Sequence, residues 1–242
     1  MAPSKRNGRG GLAEIDKAPP IHRIKDAVLA EPEAQRQAVT IKPVNFRTVT
    51  FDIVGIDPMV MNRMGKKGRE GLGSIATRPG TEEKSQRRKR VARDFEAEFK
   101  DAQHASTEGW VGIAAMGIKH GMVSVCTIAD FFKTRAKMLF FVEPDGYSEY
   151  ATPLFKITKG EPRMYQDVGR VRSGGMQVNV RAMFDPGWEA TVRIKYDQDA
   201  LALNDVANLL NRAGQQCGIG EGRPSSRESV GCGWGRYKIK GT

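Results

Sequence analysis

An α+β fold is predicted from three observations. A run of alternating, β-branched residues opens at Phe46, several more strand-like runs crowd the stretch after Met138, and amphipathic helical segments separate them. From Phe46, FRTVTFDIVGI sets Phe46, Thr48 and Thr50 against Arg47, Val49, Phe51 and Ile53, which suits a strand ended by Asp57 and Pro58. Residues 59–90 are basic and glycine-punctuated without a steady period, an excursion from the sheet. Val91, Phe95 and Phe99 recur every fourth residue, with Glu96 and Lys100 on another face, so a short helix is expected over 91–101.

After Trp110 a long apolar run fits a buried helix through Ile113, Met116, Ile118, Met122, Val125 and Ala129. Gly112, Gly117 and Gly121 each cost such a helix about 1 kcal/mol against alanine, so they mark close packing on a sheet. Strand patterns return with KMLFFVEP, TPLFKIT, and then SGGMQVNVRAMF and WEATVRIKYD as a pair around the turn Asp185-Pro186-Gly187. Leu201, Val206, Leu209 and Leu210 share one face of a second helix over 200–213, ended by Gly214, and the last strand is 234–239. Strand, helix, strands, helix, strand is a ferredoxin-like or RRM-like βαββαβ plan, here with a basic insertion after the first strand and extra β-hairpins.

The first forty residues hold too little patterned apolar surface to offset ordering entropy, so 1–40 is expected as a flexible arm and 41–242 as one domain. Across 242 residues, 39% hydrophobic and 28% charged, no apolar run nears the roughly 18 residues a membrane span needs. The opening MAPSKRNGRGG lacks the apolar centre of a signal peptide, and the expectation is a soluble, cytoplasmic chain. Cys126, Cys217 and Cys232, odd in number and without CxxC spacing, exclude a disulfide framework and a structural zinc site.

Thirty-nine Lys and Arg against 28 Asp and Glu leave a net charge of +11, which a polyanion would neutralise; solubility alone is the plainer alternative. The excess is local. Residues 62–100 hold 12 basic and 6 acidic residues, and 212–242 hold 6 against 2.

In the second of these stretches, Gly218, Gly220 and Gly222 follow the helix and Gly231, Gly233 and Gly235 precede the strand. Glycine loses more entropy on folding than any other residue, so six in eighteen positions must serve a purpose other than stability. One purpose is bare backbone against a phosphate chain, with Arg223, Arg227 and Arg236 supplying charge. The other is a turn needing several positive φ angles and close helix-to-sheet packing. The loop lacks a GK[ST] ending and follows a helix, so it is not a Walker loop.

Helix, glycine-rich loop and the strand ending GWGRYKI resemble the C-terminal signature of the RAMP superfamily of CRISPR-associated proteins. The close likeness covers about thirty residues. The stretch from Asp145 to Arg223, with KGEPRMYQDVGRVR and NLLNRAGQQCGIGEGRP, is also similar to a family of phage-encoded proteins, so a phage-encoded member acting in the host cytoplasm is expected. The resemblance implies a single RAMP-like domain over 41–242 that polymerises along single-stranded RNA or DNA, within a ribonucleoprotein or as a homo-oligomeric filament. It also implies that 59–90 is a finger or thumb. Arg63, Lys66, Lys67, Arg87, Arg88 and Arg90 then become contacts, a solvated loop being the plainer alternative.

Catalytic groupings are poor. His22, His104 and His120 have no HExxH or HxH spacing, with His120 expected to be the buried one, and Cys217 and Cys232 lack a histidine at ligand spacing. No cofactor and no metal are expected. Some RAMP subunits cut RNA with an acid after the first strand, which makes Asp57 a weak candidate for metal-dependent cleavage. Tyr165, in a loop, and Trp234 and Tyr237, beside the glycines, either stack on bases or pin the last strand. A non-catalytic single-strand binder is therefore the first expectation, and a phage structural or assembly protein the alternative.

Overall fold

The strand expected at Phe46 forms as β1, Phe46–Gly55, in the computed structural model, which describes residues 41–76, 92–170, 174–226 and 231–242. The arm 1–40 lies outside the described residues, as do Arg87, Arg88, Arg90, Arg227 and the side chain of Lys67. Val44–Thr242 forms one unit of the chain. After β1 come β2 (Met59–Met61), α1 (Lys66–Ala76), α2 (Phe95–Asp101), β3 (Gly112–Ala114), α3 (Ala115–Val125) and α4 (Lys133–Leu139). The chain continues through β4 (Phe140–Glu143), β5 (Gly146–Tyr147), β6 (Pro153–Lys159), β7 (Arg163–Arg170), β8 (Met176–Phe184) and β9 (Glu189–Asp197). It ends with α5 (Leu203–Arg212), a π-helical turn (Ala213–Cys217) and β10 (Tyr237–Ile239).

The fold is α+β, with antiparallel pairing throughout two sheets. The larger runs β10-β1-β9-β6-β3, and β4 shares with β6 the second edge of β9. β1 and β9 pair along their length, from Phe46↔Asp197 to Val54↔Glu189. In β9, Ala190, Val192, Ile194 and Tyr196 are buried while the residues between them are half-exposed, the period-2 pattern of a sheet with one face in the core. Ile118, Met122 and Val125 of α3 and Val206, Leu209 and Leu210 of α5 cover that face, and the two helices touch. The smaller sheet is β2-β8-β7.

Five expectations change. Residues 59–61 are no part of an excursion: β2 is fully buried and pairs with β8, and its three residues are too few to show a period. The long helix after Trp110 divides into β3, α3 and α4, because an apolar run buried on several sides does not distinguish strand from helix. Ile113 therefore lies on β3, while Met116 is exposed. Of its glycines, Gly112 packs on the sheet, a Cβ there lying 2.7 Å from Phe155 O, Gly121 faces Ala213, and Gly117 meets nothing within 4 Å. In KMLFFVEP only Phe140–Glu143 is strand, since Lys133–Leu139 turns Ala136 inward as a helix.

The two strands around Asp185-Pro186-Gly187 do not pair with each other. β8 joins the small sheet and β9 the large one, with Trp188 buried at the crossing and Gly187 N donating to Gly55 O. Finally, Gly214 does not stop the last helix. A Cβ there would sit 2.2 Å from Tyr237 O, so the glycine admits β10, and the turn runs on to Gly218 at φ +65°. Among the described residues no helix is long and apolar enough to cross a membrane.

Candidate functional site

Between β2, the start of α3 and the loop 218–235 lies a cleft of about 650 Å³. Met59, Met61, Ile113 and Ile219 give it apolar walls, and Arg223, Asp167, Trp234 and His104 bring polar and aromatic groups to it. All six loop glycines have φ between +65° and +78°. At Gly235 a Cβ would sit 1.8 Å from Ile219 O, and at Gly220 2.4 Å from Val60 O, so backbone runs against backbone at both. The loop is bonded to itself and to β2: Ile219 N donates to Gly235 O (3.0 Å), Glu221 N to Val60 O (2.8 Å), Cys232 N to Gly222 O (2.9 Å) and Gly235 N to Pro58 O (2.7 Å). Packing and positive φ therefore account for Gly218, Gly222 and Gly235, all buried, a Cβ at Gly222 lying 2.7 Å from the Trp234 ring. The amides of Gly220, Gly222 and Gly233 donate to no acceptor among the described residues, and the first two line the cleft.

Ala114 and Gly117 bring the first turn of α3 to the same cleft, with no side chain capping its N–H groups. Those groups and the helix dipole favour negative charge. Arg223 donates from Nη1 to Gly220 O at 2.9 Å and has no carboxylate partner among the described residues. Arg236 differs: its Nε meets Asp57 Oδ2 at 2.5 Å. Asp57 is thereby tied to β10, and Trp188 Nε1 donates to its carbonyl at 3.2 Å. Glu221, on the cleft wall, pairs with Arg181 of β8.

A second hollow of about 340 Å³ adjoins the first, Asn62 lining both. Arg63 lines it and donates from Nε to Asp101 O at 3.0 Å. Its guanidinium lies 5.6 Å from the ring centroid of Tyr150, and that of Arg69 at 3.8 Å, so two cations share one ring. Neither has a carboxylate partner among the described residues. Lys66 is exposed at the start of α1, its amide held by Asp101 Oδ2. His104 joins the two groups: it lines the cleft, its buried Nδ1 has no partner among the described residues, and burial together with Arg63 and Arg69 pushes its pKa below the usual value.

Tyr165 lies on strand β7 and not in a loop; its ring meets Trp234 edge-on at 5.7 Å. The two residues beside the glycines take different roles. Trp234 is half-buried on the cleft wall, while Tyr237 is fully buried against Trp188 and pins β10. His120 is exposed and His104 is the more buried histidine, the reverse of expectation, because His120 points away from the apolar stripe of α3. Cys217 is buried and Cys232 exposed, both free thiols, and no group of three or more His, Cys, Asp or Glu side chains among the described residues could hold a metal. Arg69, Tyr150 and Asn62 were not singled out by the sequence: Tyr150 is some eighty residues from Arg69, and no local pattern joins them. Neither protein-family models nor curated proteins give a match to this chain.

Proposed function

We propose that this chain is a non-catalytic, single-stranded nucleic-acid-binding protein with a ferredoxin-like core, one that assembles as a homo-oligomer along the strand. The observation that carries it is the convergence on one cleft of Arg223, Trp234, the uncapped turn of α3 and exposed Gly220, whose amide has no acceptor among the described residues. A phosphate there meets a guanidinium and main-chain donors, and a base meets the indole. Arg63 and Arg69 extend cationic surface past Asn62, which suits a strand longer than one nucleotide.

Support for the core comes from connectivity. The strands β1, β4, β9 and β10 lie in the order β10-β1-β9-β4, α3 falls between β1 and β4 in the chain, and α5 falls between β9 and β10. That is the order of a βαββαβ plan, with β2, β3, β5, β6, β7 and β8 as additions, β6 sharing the edge of β9 with β4.

The test is to purify the chain, digest with RNase or DNase, and identify any protected nucleic acid by length and sensitivity. Affinity for an oligonucleotide should fall steeply with salt, the slope of log K against log salt losing about 0.7 for each single-strand phosphate contact removed by Arg63→Ala, Arg69→Ala or Arg223→Ala. Affinity insensitive to salt, or assembly with no protected nucleotides, overturns the proposal.

A further inference from the structure

β1 runs for 10 residues, but β10 pairs only with its end, Ile53–Gly55. In an antiparallel ladder both backbone groups of a residue point to the same side, and successive residues alternate. Gly55 N donates to Trp188 O and Asn45 O accepts from Gln198 N, so the odd-numbered residues of β1 turn to β9. Asp52 O accepts from Lys240 N and Ile56 N donates to Arg236 O, so the even-numbered ones turn to the side of β10. The N–H and C=O groups of Phe46, Thr48 and Thr50 therefore have no partner strand among the described residues.

This open edge is bounded at both ends. At one, Lys240 holds Asp52 O, and Gly241, at φ +90°, turns the chain so that the Thr242 amide and hydroxyl return to Ile239 O instead of continuing to Thr50. At the other, residues 41–45 form no strand, and Pro43 has no N–H to offer. Between them Phe46, Arg47, Thr48 and Thr50 are exposed and Val49 and Phe51 half-buried, without the lysines, prolines or bulges that usually blunt an edge.

The edge is its own complement. Two copies of β1 laid antiparallel about a twofold axis at Thr48 set Thr48 opposite Thr48 and Phe46 opposite Thr50, so every open N–H and C=O finds a partner. Any other register leaves some of them unpaired. Threonine against threonine and aromatic against β-branched are favourable cross-strand pairs. Arg47 stands opposite Val49 of the second copy and only diagonally near its Arg47, an approach that salt screens.

We infer that the open edge of β1 docks a second copy of this chain, joined as a twofold dimer with one sheet running through both. A contact this short is weak, with dissociation in the micromolar range. It deepens the self-association in the function proposed above and rests on that part of it, but on no nucleic acid.

The experiment uses the full chain freed of nucleic acid by nuclease, followed by sedimentation velocity and by amide hydrogen exchange read residue by residue, at millimolar and at low micromolar concentration. A monomer should give way to a dimer as concentration rises. The amides of Phe46, Thr48 and Thr50 should exchange about tenfold or more slowly in the concentrated sample, while those of Arg47, Val49 and Phe51, bonded to β9, stay protected in both. Thr48→Pro removes a donor on the open side only, because Thr48 has no ladder bond to β9, and should weaken the dimer about tenfold or more. Thr48→Val keeps the donor and the β-branched shape and should dimerise as the parent does. A monomer at every concentration overturns the inference. So does protection of Phe46, Thr48 and Thr50 that dilution leaves unchanged, since the edge would then be filled from within one copy, and so does a dimer that Thr48→Pro leaves intact. Should the proline variant lose the protection of Arg47, Val49 and Phe51, the strand itself has gone, and the exchange of the parent decides. Each of these outcomes leaves the cleft reading standing; that reading fails separately, if the chain binds no single strand.

Discussion

Asp57 Oδ2 and Arg236 Nε meet at 2.5 Å where the end of β1 lies beside the start of β10, so the arginine nearest the end of the glycine loop is already neutralised. Arg223 is not. The two should therefore separate on substitution. Arg223→Ala is expected to weaken binding to a single strand about tenfold, the scale of one charge-assisted hydrogen bond, and Arg236→Ala less than about twofold. The Asp57 pair is solvent-accessible, 25% and 43% exposed, so a double-mutant cycle should give a coupling of about 1 kcal/mol or less. Anisotropy titrations and urea unfolding of the four chains check both.

Gly235 and Gly233 share a positive φ but not their surroundings. A methyl at Gly235 would sit 1.8 Å from Ile219 O, a backbone atom that cannot step aside, while at Gly233 nothing lies within 4 Å. Gly233→Ala should cost about 1–2 kcal/mol, the left-handed penalty alone. Gly235→Ala should cost more than about 4 kcal/mol, because the loop must leave β10 to accept it. Urea unfolding midpoints at constant m-value measure the difference.

Those two glycines also show where sequence reading stops. Six glycines around an arginine loop announce a special backbone, and both expected causes were visible in the residues; which amides are consumed depends on Val60 and Pro58, brought in from β2 and the turn before it. The strand at Phe46, the stripe of Val206, Leu209 and Leu210, and the placing of Phe46 with Thr48 and Thr50 on the outward face follow from period alone. Residues 112–139 did not, since burial on several sides erases the period that separates strand from helix. The pairing of β8 with β2, rather than with β9 across the turn, depends on Trp188 filling the space beside Gly55, a contact more than a hundred residues apart. A separation of some eighty residues likewise hides the cluster of Arg63, Arg69, Tyr150 and His104.

His104 gives the fold a pH dependence of known sign. Burial, then Arg63 and Arg69, lower its folded pKa below the ordinary 6.5, so below that pH the unfolded chain binds more protons than the folded one. Stability therefore rises with pH through this window and is lost as pH falls below about 6.5, down to the folded pKa. His104→Gln should flatten the slope between pH 5 and 7 relative to the parent, as read by urea midpoints across that range. A parent curve without slope there would show that the imidazole is not held neutral.

Tyr237 is fully buried against Trp188, and its hydroxyl finds no partner among the described residues. Burial pushes its pKa upward, so it is neutral at any ordinary pH and contributes no charge-linked term to stability. A buried, unpartnered hydroxyl carries a desolvation cost of about 1–3 kcal/mol, whereas the ring packs β10 onto α5 and the π-helical turn. Removing the oxygen alone should then raise stability: Tyr237→Phe is expected to unfold at a higher urea concentration, by about 1 kcal/mol, with binding unchanged. Tyr237→Ala removes the ring as well and should lose about 3–5 kcal/mol. If the phenylalanine variant were instead less stable than the parent, the hydroxyl must hold a hydrogen bond, to an ordered water or to a neighbour that moves toward it.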